Sequence, residues 1–297
     1  MSELLQQLVN GIGLGSVYAL IAVGYTMVYG IIQLINFAHG EVFMMGSFFT
    51  YTFYRIAHLP LLVAALLGIM LAVVLGLVIE RVAYRPLRHS ARLAPLISAI
   101  GVSLVLQNAA LLIWGPDRKA MLGADSAMGG LNDPITIGGV TTSGLQFSLL
   151  VIAILVMVAM DFLVHRTQLG RAMRACSMDI TAAALVGVPV DRIIAFTFAL
   201  GSGLAALAGI MVALRYNQVY PMMGFMAGLK AFTAAVLGGI GNLRGAFLGG
   251  LMLGVIEALV GGYVSSLWMD AIAFGVLVAV LIVRPNGLLG TSVAVKV

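Results

Sequence analysis

The chain has 297 residues, of which 62% are apolar and only 9% charged, with a mean hydropathy of +1.11. A soluble domain carries about 25% charged residues, so the composition excludes a soluble globular protein and reads as a polytopic membrane protein. The net charge of +5 comes largely from arginines in two clusters, which gives no footprint for nucleic acid, and the single cysteine, Cys176, excludes an internal disulfide framework.

Runs of about 20 apolar residues mark membrane spans, because the hydrocarbon core is about 30 Å thick. The first run has no Lys/Arg-rich leader and is too long for a signal-peptide core, so no cleaved segment is read. Leu4–Tyr54 is long enough for two spans. Between them, Asn36-Phe37-Ala38-His39-Gly40-Glu41 breaks the apolar pattern. A charge at mid-bilayer costs roughly 2.5–3.5 kcal/mol on insertion scales, so this patch is not exposed to lipid. Two readings stay open: a hydrogen-bonded helix start just inside the cytoplasmic leaflet, or the wall of a polar pathway. On the second reading Asn36, His39, Glu41 and Met44 are the pathway candidates. His39 is no metal site, since no second His or Cys stands at ligand spacing.

Pro60–Ile79 and Leu93–Trp114 follow as spans without a charged residue, separated by a loop holding Arg81, Arg85, Arg88 and Arg92. Residues 115–146 form the longest polar connection. Its Ile135-Thr136-Ile137-Gly138-Gly139-Val140-Thr141-Thr142 run reads as a small hairpin, because Gly-Gly between β-branched residues suits a tight primed turn. This loop either covers helix ends or docks a partner. Phe147–Val164 is the next span, interrupted only by Asp161.

Residues 166–192 then carry Arg166, Arg171, Arg174 and Arg192. Arginine counts in short loops place this segment, the loop after Ile79 and the tail with Arg284 and Lys296 in the cytoplasm, and residues 115–146 on the outer side. Ala182 and Ala183 let a short helix lie close in a partner's groove, and Gly187 with Pro189 ends it. Arg171 and Arg174 suit acidic groups on a partner, whereas Arg166 and Arg192 read as helix-end anchors.

Ile193–Leu214 is a further uncharged span. After it, residues 217–245 are broken by a polar turn (Tyr216, Asn217, Gln218, Tyr220, Pro221) and by Gly224, Gly228, Gly238, Gly239, Gly241 and Gly245. Short, Gly-interrupted segments of this kind mark discontinuous helices around a pathway in transporters. Ala227–Val283 holds three short spans. The total is about eight or nine, with the C-terminus inside: an all-α polytopic helical bundle in one domain, 1–297. Gly11/Gly15 and Gly250/Gly254 stand at the spacing that permits close helix approach. No Gly-x4-Gly-Lys-Ser/Thr nucleotide loop and no catalytic constellation is present, so the chain reads as no enzyme.

The residues Gly13-Leu14-Gly15-Ser16-Val17-Tyr18-Ala19-Leu20, Ile35–Glu41 with Met45-Gly46, Gly170–Ala175 and Lys230–Asn242 resemble the branched-chain amino-acid permeases of bacterial ABC importers, over essentially the whole chain. The resemblance implies the permease fold, the bacterial inner membrane, and import of leucine, isoleucine and valine. It implies as partners a second permease subunit, two ATP-binding subunits and a periplasmic substrate-binding protein. No cofactor is implied on this chain; Mg-ATP belongs to the ATPase partners. The importer coupling pattern Glu-Ala-Ala-x3-Gly is matched by Thr181-Ala182-Ala183-Ala184-Leu185-Val186-Gly187, with Thr in place of Glu. Arg171, Arg174, Asp179, Thr181, Ala182, Ala183 and Gly187 are thereby the expected coupling residues. Urea, short amides or other amino acids remain the alternative cargo, and an ion-coupled transporter using Asp161, Glu257 or Asp270 the alternative mechanism.

Overall fold

The computed structural model describes residues 2–88, 90–91, 93–122, 133–137 and 139–290. Arg92 of the arginine-rich loop, Lys296 of the tail and Gly138 of the hairpin lie outside these residues. Among the described residues, seven helices are long and apolar enough to cross a membrane. In chain order the helices are α1 (Ser2–Ile32), α2 (His39–Tyr51), α3 (Leu61–Ile79), α4 (Leu93–Trp114), α5 (Gly144–Arg166), α6 (Gln168–Met178), α7 (Ile180–Leu185), α8 (Val190–Tyr216), α9 (Met223–Gly238), α10 (Leu243–Tyr263) and α11 (Met269–Val283). The shorter apolar helices α2 and α9 lie among the long ones. The expected discontinuous pieces are therefore present, and α4 has the bounds read from the sequence.

Burial sorts the helices. The most apolar stretch of α1 is 89% buried, against 11% in α5 and 6% in the span ending in α11. All are apolar around their circumference, as membrane spans are, so position is decided by side-chain size. Where glycine and alanine recur, backbones meet. A Cβ on Gly11 would lie 2.6 Å from Val255 Cα, one on Gly15 2.7 Å from Leu251 Cα, and one on Gly254 2.2 Å from Gly15 N. The two glycine pairs noted in the sequence thus face each other along α1 and α10, and close packing of small residues holds the pair where hydrophobicity gives no preference.

The ends of the bundle are distinct. Strands β1 (Pro134–Ile137) and β2 (Val140–Ser143) form the expected hairpin, with Ile137 opposite Val140 and Gly139 at φ +81°. Gln6 near the start of α1 exchanges hydrogen bonds with the Thr141 backbone at 2.7 and 2.8 Å, so the N-terminal end lies beside residues 133–143. Lys119 pairs with Val219, and Asn217 accepts from the Leu122 amide at 2.6 Å, tying the same loop to the turn after α8. At the opposite end, α6 packs against the end of α1 and the α9–α10 turn. Leu288 and Leu289 donate to the Leu237 and Gly238 carbonyls at 2.9 and 3.0 Å.

Candidate functional site

After Ile32 the chain turns at Gln33, whose φ of +52° reverses its direction, and residues 33–38 run back along α1. His39 therefore stands beside Gly24, where an added Cβ would lie 2.7 Å from its Nε2. Asn36 fixes the turn: its Oδ1 accepts from the Ala38 amide and from the Tyr84 hydroxyl, each at 3.1 Å. Gly40 lets the starts of α2 and α9 cross in contact, since a Cβ there would meet Gly224 O at 2.3 Å. Met44 Sδ accepts from the Met222 amide at 3.3 Å at the same crossing.

Glu41 is fully buried. Its Oε1 accepts from Ser103 Oγ at 3.1 Å and from Gln107 Nε2 at 2.7 Å, while Oε2 has no partner among the described residues. Ser103 and Gln107 stand near the midpoint of α4. The polar patch thus begins near the Tyr84 end of α3 and reaches about the middle of the bundle at Glu41. The patch reaches this far along the bundle because residues 33–38 run back along α1 rather than onward.

Beside this patch lies a cavity of about 410 Å³ walled by Tyr25, Phe37, Ile100, Ser103, Leu104, Gln107, Met222, Phe225, Gly228 and Leu229. The four residues expected in the pathway stand one layer behind the wall. Glu41 holds Ser103 and Gln107, His39 packs on the Tyr25 ring at 4.5 Å between centroids, Met44 touches Met222, and Asn36 precedes Phe37. Sequence reading passed over Ser103 and Gln107, because an uncharged span was taken as featureless. The available signal was their i, i+4 spacing, which sets two polar groups on one helix face.

A second cavity of about 270 Å³ opens near Tyr18, Tyr216, Gln218, Tyr220 and Lys230. At its floor Lys230 Nζ lies 3.0 Å from Glu257 Oε1 and 2.7 Å from Asp270 Oδ1, and the Tyr18 hydroxyl donates to Glu257 Oε2 at 2.8 Å. The acidic residues suited to ion coupling are thus taken up internally: Glu257 by Lys230, and Asp161 by a bidentate pair with Arg244 at 2.9 Å.

The Arg-rich segment folds as two short helices. Thr167 caps α6, accepting from the Gly170 amide at 3.0 Å, and Gly170 fits because a Cβ would lie 2.2 Å from the Leu163 and Val164 carbonyls. Asp179 caps α7, its Oδ1 accepting from the Thr181 and Ala182 amides at 2.7 and 2.9 Å. Gly187 ends the turn at φ +84° with open space around it. Of the expected coupling residues, Arg171, Asp179, Thr181, Ala182 and Gly187 are exposed, whereas Ala183 is buried. Arg174 is half-buried and donates to the Val164 carbonyl, satisfying an end of α5. The tip also exposes large apolar side chains, Met178 at 89%, Leu185 at 84% and Val186 at 78%. Cys176 is buried, which pushes its thiol pKa up.

Directly after this segment, Asp191 in the first turn of α8 pairs with Arg85 and with Arg88, the latter at 2.7 Å, and Arg88 also pairs with the buried Glu80. The bases of α3 and α8 are therefore tied together.

Residues 7–281 match the family described as the permease component of branched-chain amino acid transport systems. The chain is 46% identical to the high-affinity branched-chain amino acid transport system permease protein BraD of Pseudomonas aeruginosa, over 99% of this chain and 98% of that protein. It is 45% identical to the corresponding permease protein LivH of Escherichia coli, over 99% and 97%. A probable permease of the same kind from Methanocaldococcus jannaschii is 25% identical over 92% and 88%. With a family match over nearly its whole length, and glycine-packed spans beside a half-open cavity, the chain belongs to the permease components of branched-chain amino acid transport systems.

Proposed function

We propose that this chain is one of two permease subunits of an ATP-driven importer that carries leucine, isoleucine and valine across the bacterial inner membrane, with the mid-bundle cavity as part of the route. The observation that carries this reading is the cavity itself. At about 410 Å³ it lies within the usual range of small-molecule sites, about 300–1,000 Å³. Its wall is apolar except for Tyr25, Ser103 and Gln107, which suits an aliphatic side chain carried on a small polar head. Two ATP-binding subunits, which bind Mg-ATP, and a periplasmic substrate-binding protein complete the assembly; the chain itself catalyses nothing and forms a single permease domain over 1–297.

Sidedness follows from the charges. Arg81, Arg85, Arg88, Arg166, Arg171 and Arg192 gather in the loops at one end, which is the cytoplasmic one. Leu288 and Leu289 after α11 pack at that end, and the described part of the 115–146 connection faces the periplasm. The exposed apolar tip at Met178, Leu185 and Val186 is the surface for the ATP-binding partner, and burying it there is favourable as burying any apolar patch is. A displacement of α6 and α7 passes directly into α8, and through Asp191 to Arg85, Arg88 and the base of α3.

The test is uptake of labelled leucine by cells lacking their own system, with and without this chain and its partner subunits. Uptake that depends on the chain and on ATP-binding partners that co-purify with it supports the reading. Uptake by the chain alone, collapsed by an ionophore and indifferent to the partners, overturns it. A competition series with urea, acetamide and other amino acids reads out the cargo.

A further inference from the structure

The polar groups behind the cavity fix which end of a substrate they can receive. We propose that Gln107 is the receptor for the ammonium group of the transported amino acid, presented in that role by Glu41; this rests on the cavity being part of the route.

A glutamine amide has two N–H donors and one carbonyl acceptor. The Gln107 amide nitrogen is turned toward Glu41, donating to its Oε1 at 2.7 Å and lying 3.2 Å from Ser103 Oγ. The Ser103 hydroxyl hydrogen is committed as well, to the same Glu41 oxygen at 3.1 Å. Glu41 Oε1 accepts from both groups and so turns their donors toward itself. What remains for the cavity is the Gln107 carbonyl oxygen, which accepts no hydrogen bond from any described residue. The wall of α4 is therefore a face of acceptors, backed by a fully buried carboxylate whose second oxygen is also unpartnered.

A zwitterion entering this place meets two different outcomes at its two ends. The ammonium needs acceptors to offset its lost hydration, and near the middle of the bundle it finds them on α4. The carboxylate would meet the lone pair of the Gln107 carbonyl and no donor from Ser103 or Gln107, whose hydrogens are turned toward Glu41. The substrate is thus held with its ammonium on Gln107, and its aliphatic tail lies along Ile100, Leu104 and Phe225. Glu41 acts as a positioning residue. It does not line the cavity, but it decides that the amide presents oxygen and not nitrogen.

The experiment uses the assembled importer in proteoliposomes, with leucine-loaded binding protein outside and ATP inside, and uptake expressed per assembled complex. In a first arm, Leu104→Cys is treated with a bulky thiol reagent, with the unsubstituted chain and its buried Cys176 as control. Block of uptake places the route at this wall; no block overturns both the route and the inference. In a second arm Gln107→Met, of nearly the same shape but without the acceptor, is expected to lower uptake about ten- to a hundredfold, as loss of a hydrogen bond to a charged group does. In a third arm the exchanged pair E41Q/Q107E puts the carboxylate at the cavity with the amide behind it. This keeps an acceptor face and is expected to restore uptake well above the level of Gln107→Met. A blocked first arm with undiminished uptake by Gln107→Met refutes the ammonium assignment while leaving the route intact. An exchanged pair as inactive as Gln107→Met also refutes it, since packing at Gln107 would then be the whole of its role.

Discussion

Replacing Lys230 with methionine keeps most of the side chain's volume and removes its charge. Lys230 lies 3.0 Å from Glu257 and 2.7 Å from Asp270, but the two carboxylates differ: the Glu257 side chain is 1% exposed and that of Asp270 53%. The exposed contact is screened and contributes about 0–1 kcal/mol. The buried one matters more, because removing one member of a buried pair leaves a charge with nothing to offset it, at about 3–5 kcal/mol. Tyr18 still donates to Glu257 at 2.8 Å in the variant and offsets part of that loss. The net expected destabilisation is about 3 kcal/mol, roughly a hundredfold in the folded-to-unfolded ratio. The assay is a denaturant titration of the purified chain in detergent micelles, run as a double-mutant cycle with Glu257→Gln. Adding Glu257→Gln to Lys230→Met is expected to recover most of the loss, because the orphaned charge disappears. A Lys230→Met variant within about 0.5 kcal/mol of the parent, the ordinary scatter of surface substitutions, would refute the reasoning. So would a cycle without coupling.

Asp179→Ala removes the acceptor for two α7 amides and is expected to cost about 1 kcal/mol, read as faster local hydrogen exchange over 180–186 with the membrane spans unchanged. Leu185→Asp with Val186→Asp should leave the chain's amount in the membrane intact yet abolish co-purification of the ATP-binding subunits; retained co-purification counts against the apolar tip as their surface. Cys176 should alkylate far more slowly than a free thiol at neutral pH, since it is 1% exposed and its thiol pKa is raised; mass spectrometry showing rapid labelling of the folded protein would contradict this. Gly40→Ala forces a Cβ to within 2.3 Å of Gly224 O and should destabilise by about 1–3 kcal/mol through overpacking, with thermal unfolding of the chain as the check.

The spans were legible because each is a local property: an apolar run of the right length is visible without knowing its neighbours. The same holds for the hairpin at 134–143 and the breaks before α2 and α10. What the sequence hid are pairings between distant residues. Glu41 and Gln107 are 66 positions apart and Lys230 and Glu257 27 apart, on different helices. No periodicity relates them, so Glu257 could be read as a free coupling acid when it is half of an ion pair. Arg174 shows a related effect: the last carbonyls of α5 need a donor, and its guanidinium reaches the Val164 carbonyl, a contact that spacing does not reveal. Asn36, His39, Glu41 and Met44 were recognisable as out of place in a membrane, yet which residues they present to the cavity depends on the register of α2 against α4, which only the fold determines.

The packing also says where the bundle can open. α1 and α10 meet through Gly11, Gly15, Gly250 and Gly254 with no room for a Cβ, and the Lys230 cluster joins α9 and α10 to Tyr18 of α1 and to the first turn of α11. On the other side, Gly46 against Ala206, Gly209 against Phe43 and Gly76 against Ser202 lock α2, α8 and α3 just as closely. Backbones in direct contact have no side chains to repack, so each set resists internal shear. The cavity lies between them, with α4 on one wall and α9 on the other. The α2–α9 crossing at Gly40 and Gly224 bounds it from behind. The two sets also touch backbone to backbone, at Gly40 with Gly224 and at Gly24 with Gly201. On the proposed coupling route through α8 and Asp191, a motion that widens the cavity pivots at those crossings, while the walls on α4 and α9 part across open space.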